Sequence, residues 1–181
     1  MEPEGDVHSF LFADLVGFTA LTETVGDQAA ADLAIEFADE ARTLAAEYGV
    51  ECVKAIGDAV MVHGCCAAQV VGLALRLAQY GTVTAGRPPV HIGIHTGPAV
   101  ARDGDWYGTT VNVAAHLADC ARAGEVLLTV STRRRMGRDL AYDLIDRGRR
   151  RLRNVGSPVR VFEARPASAG AVPQVMAGKA A

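Results

Sequence analysis

Three residues of this 181-residue chain have the types and placement to do chemistry together: Asp14, Lys54 and Asp58. Asp14 follows the apolar run Val7 to Ala13 and Asp58 follows Glu51 to Ile56, so each carboxylate stands at the end of a strand pattern and not on a solvated helix face. Two carboxylates brought side by side at strand ends can hold a hard divalent cation, and Mg²⁺ typically takes one or two carboxylates together with substrate phosphates. The same residues also fit a pair of turn aspartates accepting from backbone amides, and local pattern alone favours that plainer role. Lys54 stands out by composition: of 18 Lys and Arg, only Lys54 and Lys179 are lysines. A compact ammonium can donate to a single ring nitrogen where a planar guanidinium does not fit. A strand lysine laying its stem on apolar surface with its head in water explains it equally well.

These side chains need elements to hold them. Val7 to Ala13 contains Phe10-Leu11-Phe12 and reads as a buried central strand that delivers Asp14 to its end. Leu15 to Thr19 then turns into helix around Gly17, and the outward amides of a starting helix can hold phosphate oxygens. This is not a Walker loop, because no G-x-x-x-x-G-K-[ST] occurs in the chain. Gln28 to Glu47 is predicted as a long helix stopped by Tyr48-Gly49. Glu51 to Ile56 and Ala59 to His63 form a hairpin whose turn, Gly57-Asp58, puts Asp58 at the tip. Cys66 to Tyr80 reads as an amphipathic helix, and Pro88-Pro89 precedes a strand from Val90 to His95 that Thr96-Gly97-Pro98 ends or kinks. Ala99 to Ala101 leads to a turn at Asp103-Gly104-Asp105. Thr109 to Ala121 is a helix, Val126 to Val130 a strand, and Ser131 to Met136 a short helix. Tyr142 to Asp146 and Val159 to Ala164 make a last antiparallel pair. Hairpins mixed with crossover helices predict an α+β fold, ferredoxin-like at its centre, with a mostly antiparallel sheet and flanking helices.

Length and composition fit one domain over residues 7–165, with an N-terminal extension 1–6 and a mobile tail 166–181. The chain is 50% hydrophobic and 22% charged, which excludes a disordered or fibrous protein, and its net charge of −3 argues against a general nucleic-acid binder. Arginines crowd the last third, including Arg133 to Arg135, Arg147 and Arg149 to Arg151, and they make either a basic surface or a polyphosphate site. Cys52, Cys65, Cys66 and Cys120 lack zinc-type spacing and read as buried thiols of a cytoplasmic protein. The acidic start is not a signal peptide, and the most apolar stretch, Cys65 to Tyr80, is too short to span a bilayer, which takes about 20 residues.

Four motifs in one order carry a resemblance. Phe12-Ala13-Asp14-Leu15-Val16-Gly17-Phe18-Thr19, Val53-Lys54-Ala55-Ile56-Gly57-Asp58-Ala59-Val60-Met61, Gly93-Ile94-His95-Thr96-Gly97-Pro98 and Trp106-Tyr107-Gly108-Thr109-Thr110-Val111-Asn112-Val113-Ala114 together resemble the catalytic domain of class III nucleotidyl cyclases. Ala123 to Leu127, and Leu152-Arg153-Asn154 with Pro158-Val159, extend the likeness to about Ala164.

The resemblance implies that the 3′-hydroxyl of a nucleoside triphosphate attacks its own α-phosphate, giving a cyclic monophosphate and pyrophosphate. Asp14, Leu15 and Asp58 make up the implied metal set for two Mg²⁺ or Mn²⁺ ions, by the two-metal logic at about 3.5–4 Å separation. The amides of Leu15, Val16, Gly17, Phe18 and Thr19 would hold the polyphosphate. Lys54 and Asp105 occupy the base-specifying positions in the form that accepts adenine, with Asp103 two residues away as the alternative. Asn112 would orient the ribose. Four residues on, where the family has a transition-state arginine, this chain has His116, which shares a helix face with Asn112. Arg153 takes the place of a phosphate-binding lysine. The implied assembly is a head-to-tail homodimer with shared sites, acting on ATP without nucleic acid or a membrane segment in this chain. The expectation is a slow adenylate cyclase, or else a weakly active or inactive cyclase-like domain that binds nucleotide or dimerises. A GGDEF-type cyclase is disfavoured because its signature turn is absent.

Overall fold

The computed structural model describes residues 6–83, 86–137 and 142–167. The expected tail beyond residue 167, Lys179, Arg138 and most of the N-terminal extension lie outside the described residues. Among the described residues fifteen elements follow one another. Strand β1 (Val7–Leu15) is followed by helices α1 (Phe18–Val25) and α2 (Asp27–Tyr48), then by strands β2 (Glu51–Ile56) and β3 (Ala59–Gly64). Helices α3 (Ala67–Leu77) and α4 (Tyr80–Val83), strand β4 (Val90–Pro98), strands β5 (Val100–Arg102) and β6 (Asp105–Tyr107) and helix α5 (Thr109–Ala118) come next. Strand β7 (Val126–Thr129), helix α6 (Val130–Arg135) and strands β8 (Tyr142–Arg150) and β9 (Val159–Pro166) complete the order.

Seven strands form one sheet in the order β2-β3-β1-β4-β7-β9-β8. Only β4 and β7 pair in parallel; the other contacts in this sheet are antiparallel. The first four strands, with α1–α2 and α3 as crossovers, are the ferredoxin-like arrangement expected. Alternation along β1 sorts the sheet's two faces. Leu11, Ala13 and Leu15 pack with α2 and α3, together with Ile92 and Ile94 of β4. Phe10 points the other way and packs with Val111 and Ala114 of α5. Gly93 lets α5 lie close on that second face: a Cβ there would stand 2.1 Å from the Ala118 nitrogen and 2.6 Å from the Ala114 carbonyl oxygen.

Local signals set most boundaries. Gly49 caps α2 in the left-handed region at φ 65°, which an L side chain adopts only at a steric cost. Gly57 does the same for the β2–β3 turn at φ 61°. Four expectations are corrected. The strand from Val90 does not end at His95 but runs to Pro98, because Val7, His8 and Ser9 at the start of β1 continue to pair with Pro98, Gly97 and Thr96. Asp105 is not a turn residue but opens β6, which pairs with β5. The last strand pair is longer than expected, carrying an irregularity between Asp146 and Arg149. The cysteines are not buried: Cys65 and Cys66 are exposed, Cys52 and Cys120 half-buried, and all four are free. Among the described residues no helix is long and apolar enough to cross a membrane.

Candidate active site

Asp14 is the penultimate residue of β1, where the register sets it between Ala59 of β3 and His91 of β4. The Leu15 amide donates to the Asp58 carbonyl at 3.3 Å and the Val16 amide to the Pro89 carbonyl at 2.8 Å. These two bonds fasten the end of β1 to the β2–β3 tip on one side and to the start of β4 on the other. The two carboxylates therefore converge. Burial, then the negative charge of Asp14, push the Asp58 carboxyl up to about 6. Asp14 Oδ1 is buried and has no hydrogen-bond partner among the described residues. An orphaned carboxylate oxygen facing a second carboxyl is what a hard divalent cation satisfies, so Asp14 and Asp58 fit such an ion.

His91 belongs to the same cluster. Its Nδ1 lies 2.8 Å from the Ala118 carbonyl oxygen, which can only accept, so Nδ1 carries a proton and Nε2 faces Asp14 Oδ2 at 3.3 Å. Donation to that carboxylate as well requires the imidazolium, and this hydrogen bond raises the His91 pKa. Gly17, left-handed at φ 74°, turns the chain into α1, whose first amides have no carbonyl ahead of them in the helix. A cleft of about 690 Å³ joins these parts: Asp14, Leu15, Val16, Gly17, Phe18, Thr19, Asp58, His91 and Arg122 all line it. Its lining unites carboxylates for a cation with amides for phosphate oxygens.

His91 and Arg122 were not legible in the sequence. The signal for His91 is the register itself, since only the β1–β4 pairing sets it opposite Asp14. Arg122 sits in the exposed loop after α5, where its amide donates to Glu125 Oε2 at 2.9 Å, and nothing local separates it from the other arginines.

None of the remaining predicted residues Lys54, Asp105, Asn112, His116 and Arg153 lines that cleft. Lys54 of β2 donates to the Asp105 carboxylate across 51 residues of chain. Asp105 also accepts from the Trp106 amide at 2.8 Å, and the Lys54 hydrogen bond lowers its pKa. The alternative Asp103 is exposed in the β5–β6 turn at φ 52°. Asn112 and His116 lie one turn apart on α5, Asn112 exposed and His116 half-buried with Nδ1 3.5 Å from Asp119 Oδ2. Arg153 is exposed beside Leu152, which anchors its loop in a small cluster with Val113, Leu117, Leu127 and Val161.

Residues 1–162 match the family model of the adenylate and guanylate cyclase catalytic domain. The chain belongs to the class III cyclase family. It is 39% identical over 157 residues to the pH-sensitive adenylate cyclase MT1302 of Mycobacterium tuberculosis, an alignment covering 85% of this chain and 39% of that protein. It is 36% identical over 117 residues to an adenylate cyclase of Streptomyces griseus, covering 65% of this chain and 29% of that one. The chain thus spans less than half the length of these relatives. The fold is that of the adenylyl cyclase CyaB from P. aeruginosa, with a TM-score of 0.75 at 24% identity over 87% of this chain and 93% of the other.

In this cyclase domain three arginines of the last third are held in structural ion pairs. Arg147 Nε donates to Glu163 Oε2 at 2.6 Å and Arg165 pairs with the same buried carboxylate, while Arg160 pairs with Asp146. None of these arginines lines the Asp14–Asp58 cleft.

Proposed function

We propose that this cyclase domain is an adenylate cyclase, converting ATP to 3′,5′-cyclic AMP and pyrophosphate as a head-to-tail homodimer with two shared sites. The observation that carries the choice of ATP is the Lys54–Asp105 pair. Its ammonium can donate to an adenine ring nitrogen and its carboxylate can accept from the exocyclic amine. Guanine presents a carbonyl where adenine presents that amine, so the same carboxylate would repel it.

Asp14 and Asp58, with the Leu15 backbone, would hold two Mg²⁺ or Mn²⁺ ions. Bound there, the metal supplies positive charge to the triphosphate and acidifies the 3′-hydroxyl. The chain's own groups do the rest. The Leu15 and Val16 amides are already bonded to the Asp58 and Pro89 carbonyls, so of the expected set those of Gly17, Phe18 and Thr19 seat the phosphates, and Arg122, in the same cleft, adds fixed charge near them. Asn112 orients the ribose so that the 3′-oxygen approaches the α-phosphorus. The new bond forms between that oxygen and phosphorus, the bond to the bridging oxygen breaks, pyrophosphate leaves, and the hydroxyl proton passes to solvent. Arg153 offers charge to the phosphates.

The separation of the two clusters supports the dimer. Lys54, Asp105, Asn112 and His116 do not line the metal cleft of their own protomer, which fits a site shared between two copies. Exposed apolar side chains stand near both parts: Ile56 beside the Gly57-Asp58 tip, and Val100 and Tyr107 on the β5–β6 pair that carries Asp105. The two exposed thiols, Cys65 and Cys66, suit a reducing, cytoplasmic setting. His116 favours a second reading, a weakly active domain kept for nucleotide binding or dimerisation. It stands where the arginine is expected and leans toward Asp119, and an imidazole cannot replace a guanidinium fork.

Complementation tests the first reading. Asp58→Ala and Asn112→Ala should each be inactive yet folded. Mixed in equal amounts, half the dimers are heterodimers with one intact site each, so activity should return to about a quarter of the wild type. No cyclic AMP from the wild type with ATP and Mn²⁺ removes the enzyme, and no recovery on mixing removes the shared site.

A further inference from the structure

We propose that His8, His63 and Cys65 form a second metal site, selective for zinc-type cations and separate from the Asp14–Asp58 pair. This goes beyond the cyclase reading and does not depend on it. The three residues meet at the start of β1 and the end of β3, at the opposite end of these strands from Asp14 and Asp58. Register places Phe10 opposite His63 and Ser9 opposite Gly64, so His8 and His63 project from one face and Cys65 follows directly. One ligand atom from each of the three lies within 4.8 Å of the other two.

The closest pair is His8 Nδ1 and His63 Nε2, 3.0 Å apart. Tetrahedral zinc, with nitrogen at about 2.0–2.1 Å and sulfur at about 2.3 Å, spaces its ligand atoms by roughly 3.3–3.6 Å. The two imidazoles need to part slightly, and Cys65 Sγ, within 4.8 Å of both, to take up its place, with water in the fourth position. The other side of His63 supports the same assignment. Its Nδ1 lies 3.4 Å from Glu51 Oε2. A carboxylate there accepts the Nδ1 proton and leaves Nε2 with its lone pair aimed at the cluster, the carboxylate–histidine–metal arrangement. His63 is only 9% exposed.

Two imidazoles and a thiolate form a borderline-soft set that prefers Zn²⁺ over Mg²⁺, whereas the oxygen set of Asp14 and Asp58 prefers Mg²⁺ or Mn²⁺. On binding, the Cys65 thiol gives up its proton to solvent and the proton held between the two imidazoles is displaced. Trp106 roofs the cluster, with its ring stacked 4.2 Å from that of His63 and tilted against that of His8 at 4.4 Å. The sequence carried no such signal because His8 is 55 residues from His63 and the pairing exists only through the sheet.

Trp106 is the chain's single tryptophan, which makes the test direct. The full chain, with excess Mg²⁺ on the oxygen site, is titrated with Co²⁺ while tryptophan fluorescence and absorption are followed. Saturable quenching at one Co²⁺ per chain, with a thiolate-to-cobalt charge-transfer band that Zn²⁺ then abolishes, is the expected result. Cys65→Ser should remove the band, and it and His8→Ala should each weaken binding at least tenfold. Asp58→Ala and Cys66→Ser should leave quenching and band intact. Cys65 is exposed and His8 half-buried, so these variants keep the fold. Absence of saturable quenching, quenching lost in Asp58→Ala, or binding unchanged in both Cys65→Ser and His8→Ala overturns the site.

Discussion

His95 offers a quantitative test of how the sheet's interior handles charge. It lies on β4 with Nδ1 2.7 Å from Thr129 Oγ1, and burial alone lowers its pKa from 6.5 to about 4. Between those two values the unfolded chain binds a proton that the folded chain refuses, so stability falls as pH falls through the window from about 6.5 to about 4. At about 1.36 kcal/mol per pH unit, the whole window is worth at most about 3.4 kcal/mol. At pH 5 the unfolded imidazole is almost fully protonated and the folded one mostly neutral, which gives a loss of about 2 kcal/mol relative to pH 8. His95→Asn keeps a hydrogen-bonding group near Thr129 and does not titrate. Urea unfolding of both proteins at pH 8 and pH 5 isolates the histidine, since every other group cancels in the comparison. The stability gap between wild type and variant should shift by about 2 kcal/mol in favour of the variant at pH 5. Parallel profiles would refute the claim that His95 is held neutral by burial.

Three further outcomes follow from particular contacts. Gly93→Ala places a Cβ against the backbone of α5, 2.1 Å from the Ala118 nitrogen, and should destabilise by about 1–3 kcal/mol in thermal unfolding. Because α5 carries Asn112 and His116, its turnover should fall further than the stability loss explains; full activity would mean that the helix position does not matter. His116→Arg should raise cyclic AMP production by up to roughly 10²–10³-fold if one transition-state donor is missing, and an unchanged rate would mean that another group already supplies the charge. Lys54→Glu sets a like charge beside Asp105 and should lower ATP turnover at least about tenfold, by the loss of a charged hydrogen bond, while GTP use holds or rises. Unchanged ATP turnover would take Lys54 away from the base.

Much of this molecule is written in short stretches of chain. Gly49 and Gly57 announce the end of α2 and the β2–β3 turn through backbone conformations that other residues avoid, and the apolar runs around them are long enough to read as helix and strand. Asp14, Asp58, Lys54 and the Leu15 to Thr19 turn are legible for the same reason, as each belongs to a contiguous motif. What the sequence by itself determined is therefore the family, most of the elements, though not α4 or the β5–β6 pair, and which carboxylates are the candidates. The tertiary structure decided who meets whom. His91 faces Asp14, Lys54 pairs with Asp105, Arg147 and Arg165 converge on Glu163, and His8 reaches His63 because strands distant in the chain pair in one particular register. A local pattern records the hydrogen bonds and torsions of its own neighbours. Register and facing depend on the closure of the whole sheet, and that is a property of no single segment.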